Sequence, residues 1–437
     1  MKKALHNISF VTFLSLGTGF LVAIISTLYL FTGAQEAVIT GSTLLSFALG
    51  WAMLAKLSTR NTEQPQKWAY IPAVYMAVVG FGLLVLRPGD GAMRILSWIW
   101  PPIILGLVGW LFIKSHKQLK SWTKPVLLYP VFVVLALMAV GALYENVLEA
   151  RHAVPSSGRT YSVNGKELYL NCIGNGSPTV VLISGYGENS PSWAWIQQAE
   201  SRNTRVCAYD RPGEGWSQND ERQYTGVQQM AELHDLLKVA KVPGPYVLTG
   251  HSIGGTYAMI YAQKYPRQTA GVVLLDSSVP DQFKFSWYPG VYSMYKTAST
   301  LFPSLARIGV ARITFGTEFT GLPPQADQDQ RNFSSTARQL GNQTKEWAEL
   351  RQTFADAKQL QSLSGKPLYI LTAGKGQLPG WFEAQRKLTK LSSNSVQSTA
   401  GNAVHTALLE DEVVSSVSSK AIDAVVQSAR SGQPLGK

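Results

Sequence analysis

Five long apolar runs fill the first 150 residues: about Ile8–Thr32, Ala37–Leu57, Trp68–Leu86, Ile95–Ile113 and Pro125–Tyr144. Charges are almost absent from their interiors, and each is near the roughly 20 residues a helix needs to cross a bilayer core. A soluble bundle would instead carry Lys and Glu along one face of each helix. The runs therefore read as an all-α, multi-pass membrane domain over 1–150. Trp68, Tyr70, Trp98, Trp100, Trp110 and Tyr144 gather near their ends, as aromatic belts do. Pro101, Pro102 and Pro130 are expected to kink or interrupt spans, which bilayers tolerate when neighbouring helices satisfy the freed carbonyls. Lys2-Lys3 before an apolar stretch also fits a cleaved signal peptide. The run is too long for that, lacks a convincing cleavage site, and is followed by four more.

Five spans make the connecting segments alternate between the two sides. One set holds Lys2, Lys3, Lys56, Arg60, Lys67, Lys114, Lys117, Lys120 and Lys124, whereas the other short loops hold Arg87 and Arg94. The positive-inside rule assigns the first set to the cytoplasm. The expectation is a plasma-membrane protein with a cytoplasmic N-terminus, whose residues after the fifth span lie outside.

Those later residues follow a different rhythm. Thr160–Val163 and Leu168–Cys172 flank Asn164-Gly165, a strong two-residue hairpin signal. Next come a strand over 178–183, a helix around Trp193–Glu200, a strand over 205–209, a helix near Val227–Ala240 and another apolar strand. Strands alternating with helices of this length predict a parallel sheet. Between Ser277 and Lys366 the strand pattern stops and helix-like stretches alternate with Pro- and Gly-rich turns.

The strand that ends this first series runs into a turn: Val247-Leu248-Thr249-Gly250-His251-Ser252-Ile253-Gly254-Gly255. Gly-x-Ser-x-Gly between a strand and a helix sets a serine on a sharp elbow with its Oγ exposed. Ser252 is thereby a candidate nucleophile, with the amides at the start of the next helix aimed at charge developing there. Alone, this pattern is loose.

It does not stand alone. The segment from about Gly158 to the C-terminus resembles the α/β-hydrolase fold family, especially bacterial membrane-linked or secreted members. The shared stretches are Cys207-Ala208-Tyr209-Asp210-Arg211-Pro212-Gly213-Glu214-Gly215-Trp216-Ser217, the elbow, Leu274-Leu275-Asp276-Ser277-Ser278-Val279-Pro280-Asp281-Gln282, and the Gly401–Thr406 loop around His405. The resemblance implies an eight-stranded, mostly parallel, doubly wound sheet over 151–437, with core segments 151–276 and 366–437 and a helical lid over 277–365.

In that family the triad partners follow in the order serine, acid, histidine. Of six histidines only His405 comes after the elbow, so it is the expected base. Asp276, at the end of the apolar run Gly271–Leu275, is the expected acid. The other usual position follows the strand Pro367–Gly374, where this chain reads Lys375-Gly376-Gln377 and has no carboxylate. Glu383, Glu410 and Asp411 are alternatives, each in a helical pattern where charge marks a solvated face. The oxyanion donors are expected to be the backbone N–H groups of Tyr186 and Ile253. Ser184 stands where relatives often carry His, which leaves backbone donors intact. Asp210 and Arg211 read as structural. In the lid, Phe283, Trp287 and Tyr288 are candidates for an apolar acyl pocket, with ordinary core packing as the alternative. The implied strand order makes the strands of Cys172 and Cys207 neighbours, so two readings stand: a disulfide in an oxidising compartment, or two buried thiols.

The formal charge of +12 might point to nucleic acid, but the densest basic run, Lys114–Lys124, is explained by topology and anionic headgroups. No basic groove interleaved with stacking aromatics is present, so no nucleic-acid partner is expected. No zinc-like Cys/His spacing and no phosphate-binding glycine loop occur, so neither a metal nor a cofactor is implied. The expected function is a membrane-anchored serine hydrolase acting on an ester or other acyl bond of a small-molecule or lipid substrate. The alternatives are an acyltransferase or peptidase with the same triad, and a non-enzymatic membrane sensor or binding protein on a hydrolase-like domain.

Overall fold

The structure is a computed structural model that describes residues 7–118, 128–151, 157–315 and 321–436. Lys2, Lys3, Lys120, Lys124 and the start of the fifth run at Pro125 lie outside the described residues. The chain divides into two compact units, Met1–Ala150 with Met294–Ile313, and Arg151–Ser293 with Thr314–Lys437.

The first unit contains helices α1 (Ile8–Ile25, continued by a π-helical turn, Ser26–Leu30), α2 (Glu36–Asn61), α3 (Tyr70–Leu86), α4 (Asp90–Gln118) and α5 (Tyr129–Arg151). The five helical segments are long and apolar enough to cross a membrane, by length and composition. Pro101 and Pro102 lie inside the continuous α4, which passes them without a break, contrary to the expected interruption. Proline's own φ is helical, so the chain loses two donors there without leaving the helix. Pro130 is the second residue of α5, where a missing N–H is one of the helix's orphan donors in any case.

Glycines set how closely these helices approach. A Cβ on Gly19 of α1 would lie 2.9 Å from the Ser46 carbonyl oxygen of α2, and one on Gly50 would lie 2.9 Å from that of Ser15. Gly41 and Gly80 oppose each other across α2 and α3 in the same way, each 2.8 Å from the other's carbonyl oxygen. Small residues at helix crossings are what lipid-embedded bundles use, because close van der Waals packing replaces the hydrophobic drive available in water. Outward side chains such as Phe13, Phe20, Val78, Phe81 and Leu137 are exposed and apolar.

Residues Met294–Ile313, assigned to the lid in the sequence reading, group with this first unit. The physical reason is a set of charge pairs. Arg307 donates to Glu36 (Nε to Oε1, 2.9 Å) and to Asp90, while Arg312 pairs with Glu145 of α5 at 2.6 Å. Glu145 is only 2 % exposed, so its carboxylate needs that partner. Thr40 and Ser304 share a hydrogen bond of 3.0 Å, and Gly33 N–H donates to Thr300 Oγ1 at 2.8 Å. Because Arg307 reaches both Glu36 and Asp90, α2 and α4 begin at the same end of the bundle.

In the second unit, eight strands form one sheet in the order β1 (Arg159–Val163), β2 (Lys166–Ile173), β4 (Val206–Tyr209), β3 (Thr179–Ile183), β5 (Tyr246–His251), β6 (Thr269–Leu275), β7 (Leu368–Ala373), β8 (Ser395–Ala400). β1–β2 and β2–β4 are antiparallel and all other pairs parallel. Alternate residues feed two cores: Val181, Ile183, Leu248 and Leu274 lie in one, Val180, Leu182, Val247 and Val273 in the other. This period of two with both faces covered explains why the central strands read as unbroken apolar runs. Helices Gly226–Val239 and Ile253–Lys264 cover the first face, and Glu412–Ser431 the second. Cys172 and Cys207 are direct partners across β2 and β4 and form a disulfide. The described elements between β6 and β7 are all helical, and Gln282–Lys284, Pro324–Ser334 and Ala337–Ala357 among them lie in the second unit.

Candidate active site

Ser252 sits between β5 and helix Ile253–Lys264 with φ 55° and ψ −126°, a left-handed conformation that a non-glycine residue adopts only when its surroundings force it. Those surroundings are the two elbow glycines. A Cβ on Gly250 would lie 2.3 Å from the Gly254 carbonyl oxygen, and one on Gly254 would lie 2.0 Å from that of Ile183 in β3. Only hydrogen fits at either point. Ser252 N–H donates to Leu275 O at 3.1 Å, and Ser252 O accepts from Ser278 N–H at 2.8 Å, which fixes the elbow against the end of β6. Ser252 itself is half-buried, in a stretch whose neighbours are buried.

That strand end carries Asp276, another left-handed residue with φ 39° and 1 % exposure. Its carboxylate accepts four hydrogen bonds. Oδ1 takes Trp381 Nε1–H at 2.8 Å and Ala373 N–H at 3.3 Å, while Oδ2 takes Gln377 Nε2–H at 2.9 Å and His405 Nδ1–H at 2.6 Å. Burial opposes its ionisation, but His405, then Trp381 and Gln377, outweigh that and hold the carboxyl below the usual range. The structure therefore brings Asp276 and His405 together, and it does so without Glu383, an exposed partner of Lys387, or Asp411, which caps helix Glu412–Ser431. Gln377 occupies the loop whose lack of a carboxylate the sequence makes plain. Its amide supports the aspartate on the neighbouring strand.

Tyr186 lies in the turn after β3, and Ile253 is the first residue of the helix behind the elbow. The turn is braced from below. Arg211, buried at 2 % exposure, donates Nη1–H to Ser184 O at 2.6 Å and Nη2–H to Gly185 O at 2.9 Å. Ser184 Oγ accepts from Trp193 Nε1–H at 2.9 Å, so the serine found in place of His has its own packing partner. Arg211 faces Glu214 at 2.8 Å and Glu346 of helix Ala337–Ala357 at 3.4 Å, and Tyr257 O–H donates to Glu346 at 2.7 Å. Burial pushes Glu214 up to about 8, against the pull of Arg211. One guanidinium facing two buried carboxylates leaves the second proton in place. Asp210 holds the next turn by accepting from Ser190 N–H at 2.7 Å and Trp216 N–H at 2.9 Å.

Phe283, Trp287 and Tyr288 form an aromatic cluster, with Phe283 edge-on to Tyr288 at 4.9 Å and Trp287 edge-on to Tyr288 at 5.6 Å. Phe283 and Trp287 pack on the main core and Tyr288 belongs to it, the arrangement of ordinary core packing. The cluster reaches the acid indirectly: Phe285 stacks on Trp287, and lies 6.3 Å from the ring of Trp381. Trp381, Gln377, Glu346, Glu188 and the ring of His251 are site-shaping residues that the sequence reading missed. Among the described residues no group of three His, Cys, Asp or Glu side chains is arranged to hold a metal.

Comparison with known proteins places this geometry in a family. A family model described as alpha/beta hydrolase fold matches residues 178–412, more than half of the chain. The chain belongs to the α/β-hydrolase fold family. It is 29 % identical over 299 residues to an uncharacterized protein of Schizosaccharomyces pombe, covering 60 % of this chain and 54 % of that one. It is 30 % identical over 113 residues to the pimeloyl-[acyl-carrier protein] methyl ester esterase of Hamiltonella defensa, covering 26 % and 41 %. The chain thus spans about half the length of the curated relatives it matches. Among solved structures, a thermophilic esterase from Thermogutta terrifontis aligns with TM-score 0.50 and 19 % identity over 63 % of this chain and 99 % of that one. The Cif epoxide hydrolase from Acinetobacter nosocomialis aligns with TM-score 0.53 and 17 % identity over 66 % and 96 %. These likenesses concern the fold.

Proposed function

We propose that this α/β-hydrolase is a membrane-anchored serine hydrolase that cleaves an ester or related acyl bond through an acyl-enzyme. The observation that carries the reading is the 2.6 Å bond from His405 Nδ1–H to Asp276, made at the end of the strand that pairs with the elbow strand of Ser252. With Nδ1 committed to Asp276, Nε2 is the nitrogen left to exchange a proton with substrate. His405 Nε2 takes the Ser252 proton as Oγ attacks the carbonyl, and Asp276 orients and stabilises the resulting imidazolium. The amides of Tyr186 and Ile253 hold the oxyanion. Collapse of the tetrahedral adduct expels the alcohol, which takes the proton from His405. Water, deprotonated by the same imidazole, then releases the acid and restores Ser252.

A hydroxyl at the elbow suits acyl transfer, because its adduct is an ester that water can hydrolyse at the acyl carbon. The methyl ester esterase of Hamiltonella defensa among the relatives favours the same substrate class. The five apolar helices and the excess of Lys and Arg on one set of loops support an anchor in the plasma membrane with a cytoplasmic N-terminus. The disulfide between Cys172 and Cys207 supports an extracytoplasmic hydrolase domain, since such bonds persist in oxidising compartments.

A fluorophosphonate probe tests the reading on the full chain. Wild-type protein is expected to be labelled and Ser252→Ala is not; equal labelling of the two would sink the assignment. A topology reporter fused after residue 150 is expected to be active only outside the cytoplasm.

A further inference from the structure

His251, the first of the two variable residues of the Gly-x-Ser-x-Gly elbow, is fully buried, and both of its ring nitrogens face oxygen. Nε2 lies 3.1 Å from the backbone carbonyl oxygen of His405. A carbonyl only accepts, so Nε2 carries a proton. Nδ1 lies 2.5 Å from Glu188 Oε1, a distance that places a proton between them, since two lone pairs would repel. The second oxygen of Glu188 accepts from Gly185 N–H at 2.6 Å, in the turn that precedes Tyr186. One side-chain pair thus joins the loop after β3 to the loop after β8. The two loops are far apart in sequence.

Burial opposes charge on either partner, but their mutual attraction outweighs it, raising His251 above its ordinary value and holding Glu188 below the usual carboxylate range. The pair is therefore an imidazolium and a carboxylate. The other titratable groups facing His251 are Asp276 and the ring of His405, whose centroid lies 4.4 Å away. A buried ion pair is a poor source of net stability compared with apolar packing, yet it holds its partners in one geometry. Bonds to ionised groups are also the shorter and stronger kind.

We propose that Glu188 and His251 are positioning residues, a charged clamp running from Gly185 N–H through Glu188 and His251 to the His405 carbonyl, which fixes the oxyanion turn and the catalytic histidine loop around Ser252. The proposal rests on the serine hydrolase reading and adds to it two residues outside the triad. Neither clamp residue touches the reacting atoms. They act through the placement of Tyr186 and His405, and errors of about 1 Å in such placement cost about 100-fold in rate.

The test uses the full-length protein in detergent. The rate of fluorophosphonate labelling at Ser252 is expected to fall about 100-fold in Glu188→Gln, with Glu188→Asp recovering part of the loss because it restores the charge. In protein carrying 15N-histidine, the resonances that vanish in His251→Gln are expected to report protons on both ring nitrogens at about pH 6.5, the ordinary imidazole value. Labelling of Glu188→Gln at the wild-type rate overturns the clamp while leaving the hydrolase reading intact, and so does a neutral His251 ring. The second measurement needs only the wild type and one assignment variant, so it decides the matter even where Glu188→Gln fails to fold. Wild-type protein that shows no labelling at Ser252 overturns the hydrolase reading and takes the clamp with it.

Discussion

Two histidine–carboxylate pairs lie beside Ser252, and they differ in what remains open. His405 and Asp276 bond at 2.6 Å with the histidine side chain 42 % exposed, whereas His251 and Glu188 bond at 2.5 Å with the histidine fully buried. In the first pair the protein engages Nδ1, which leaves an edge of the ring for proton exchange. In the second, Glu188 and the His405 carbonyl engage both nitrogens. On the proposed function and clamp, the same chemical pair would serve turnover where one edge is open and architecture where none is. Burial, not residue type, separates the two pairs.

Removing the acid of the open pair tests that division most severely. Asp276→Asn is expected to lower kcat about 10,000-fold, the scale seen when a catalytic imidazole loses the carboxylate that sets its tautomer. Ester turnover by the purified full chain measures this. A loss under tenfold would move the acid elsewhere. The closed pair comes next, with the roughly 100-fold effect of Glu188→Gln. Smaller again are the supports of Asp276: Trp381→Phe and Gln377→Leu each remove one donor from a buried carboxylate and are expected to cost about tenfold in kcat. A triple-digit loss in Gln377→Leu would raise that amide from support to full partner.

Stability against pH separates the pairs from another side. Asp276 and Glu188 have lowered values, so the stability they contribute is present above the ordinary carboxylate value of about 4 and is lost as pH falls through their folded values. His251 is raised, so its contribution is complete below about 6.5 and is lost as pH rises through its folded value. The buried carboxyls raised by burial, Glu214 to about 8 and Asp210 to about 6, contribute stability that is lost as pH rises through those values, so thermal unfolding of the full chain is expected to show stability declining above about 4.5. Glu188→Gln should flatten the alkaline decline. In the helical unit the smallest effect is expected: Gly80→Ala sets a methyl group 2.8 Å from the Gly41 carbonyl oxygen and is expected to destabilise by about 1–3 kcal/mol, read from unfolding in detergent.

Much of this was legible in the sequence, and for identifiable reasons. The apolar runs of the first 150 residues and the buried strands of the sheet are signalled by short-range periodicity. Ser252 was singled out by the elbow pattern and Asp276 and His405 by family resemblance and chain order, and the structure brings the last two into contact. What stayed hidden depends on contacts between distant residues. Trp381 and Gln377 reach Asp276 across 105 and 101 positions, and Glu188 reaches His251 across 63. Arg307 and Arg312 look like solvated charges in a lid, yet their partners Glu36 and Glu145 stand 271 and 167 residues away in the first unit. The vacant acid position after β7 was legible as a gap, but its use by Gln377 was not. An amide there signals nothing until the neighbouring aspartate is seen beside it.

The central claim is that Ser252 becomes acylated during turnover. Full-length protein turning over an activated ester, quenched in acid and digested, gives a direct reading by mass spectrometry. The account predicts that the peptide containing Ser252 carries the mass of the acyl group, and that the adduct is absent from Ser252→Ala. Turnover without that adduct, or with the acyl group on another residue, would contradict it.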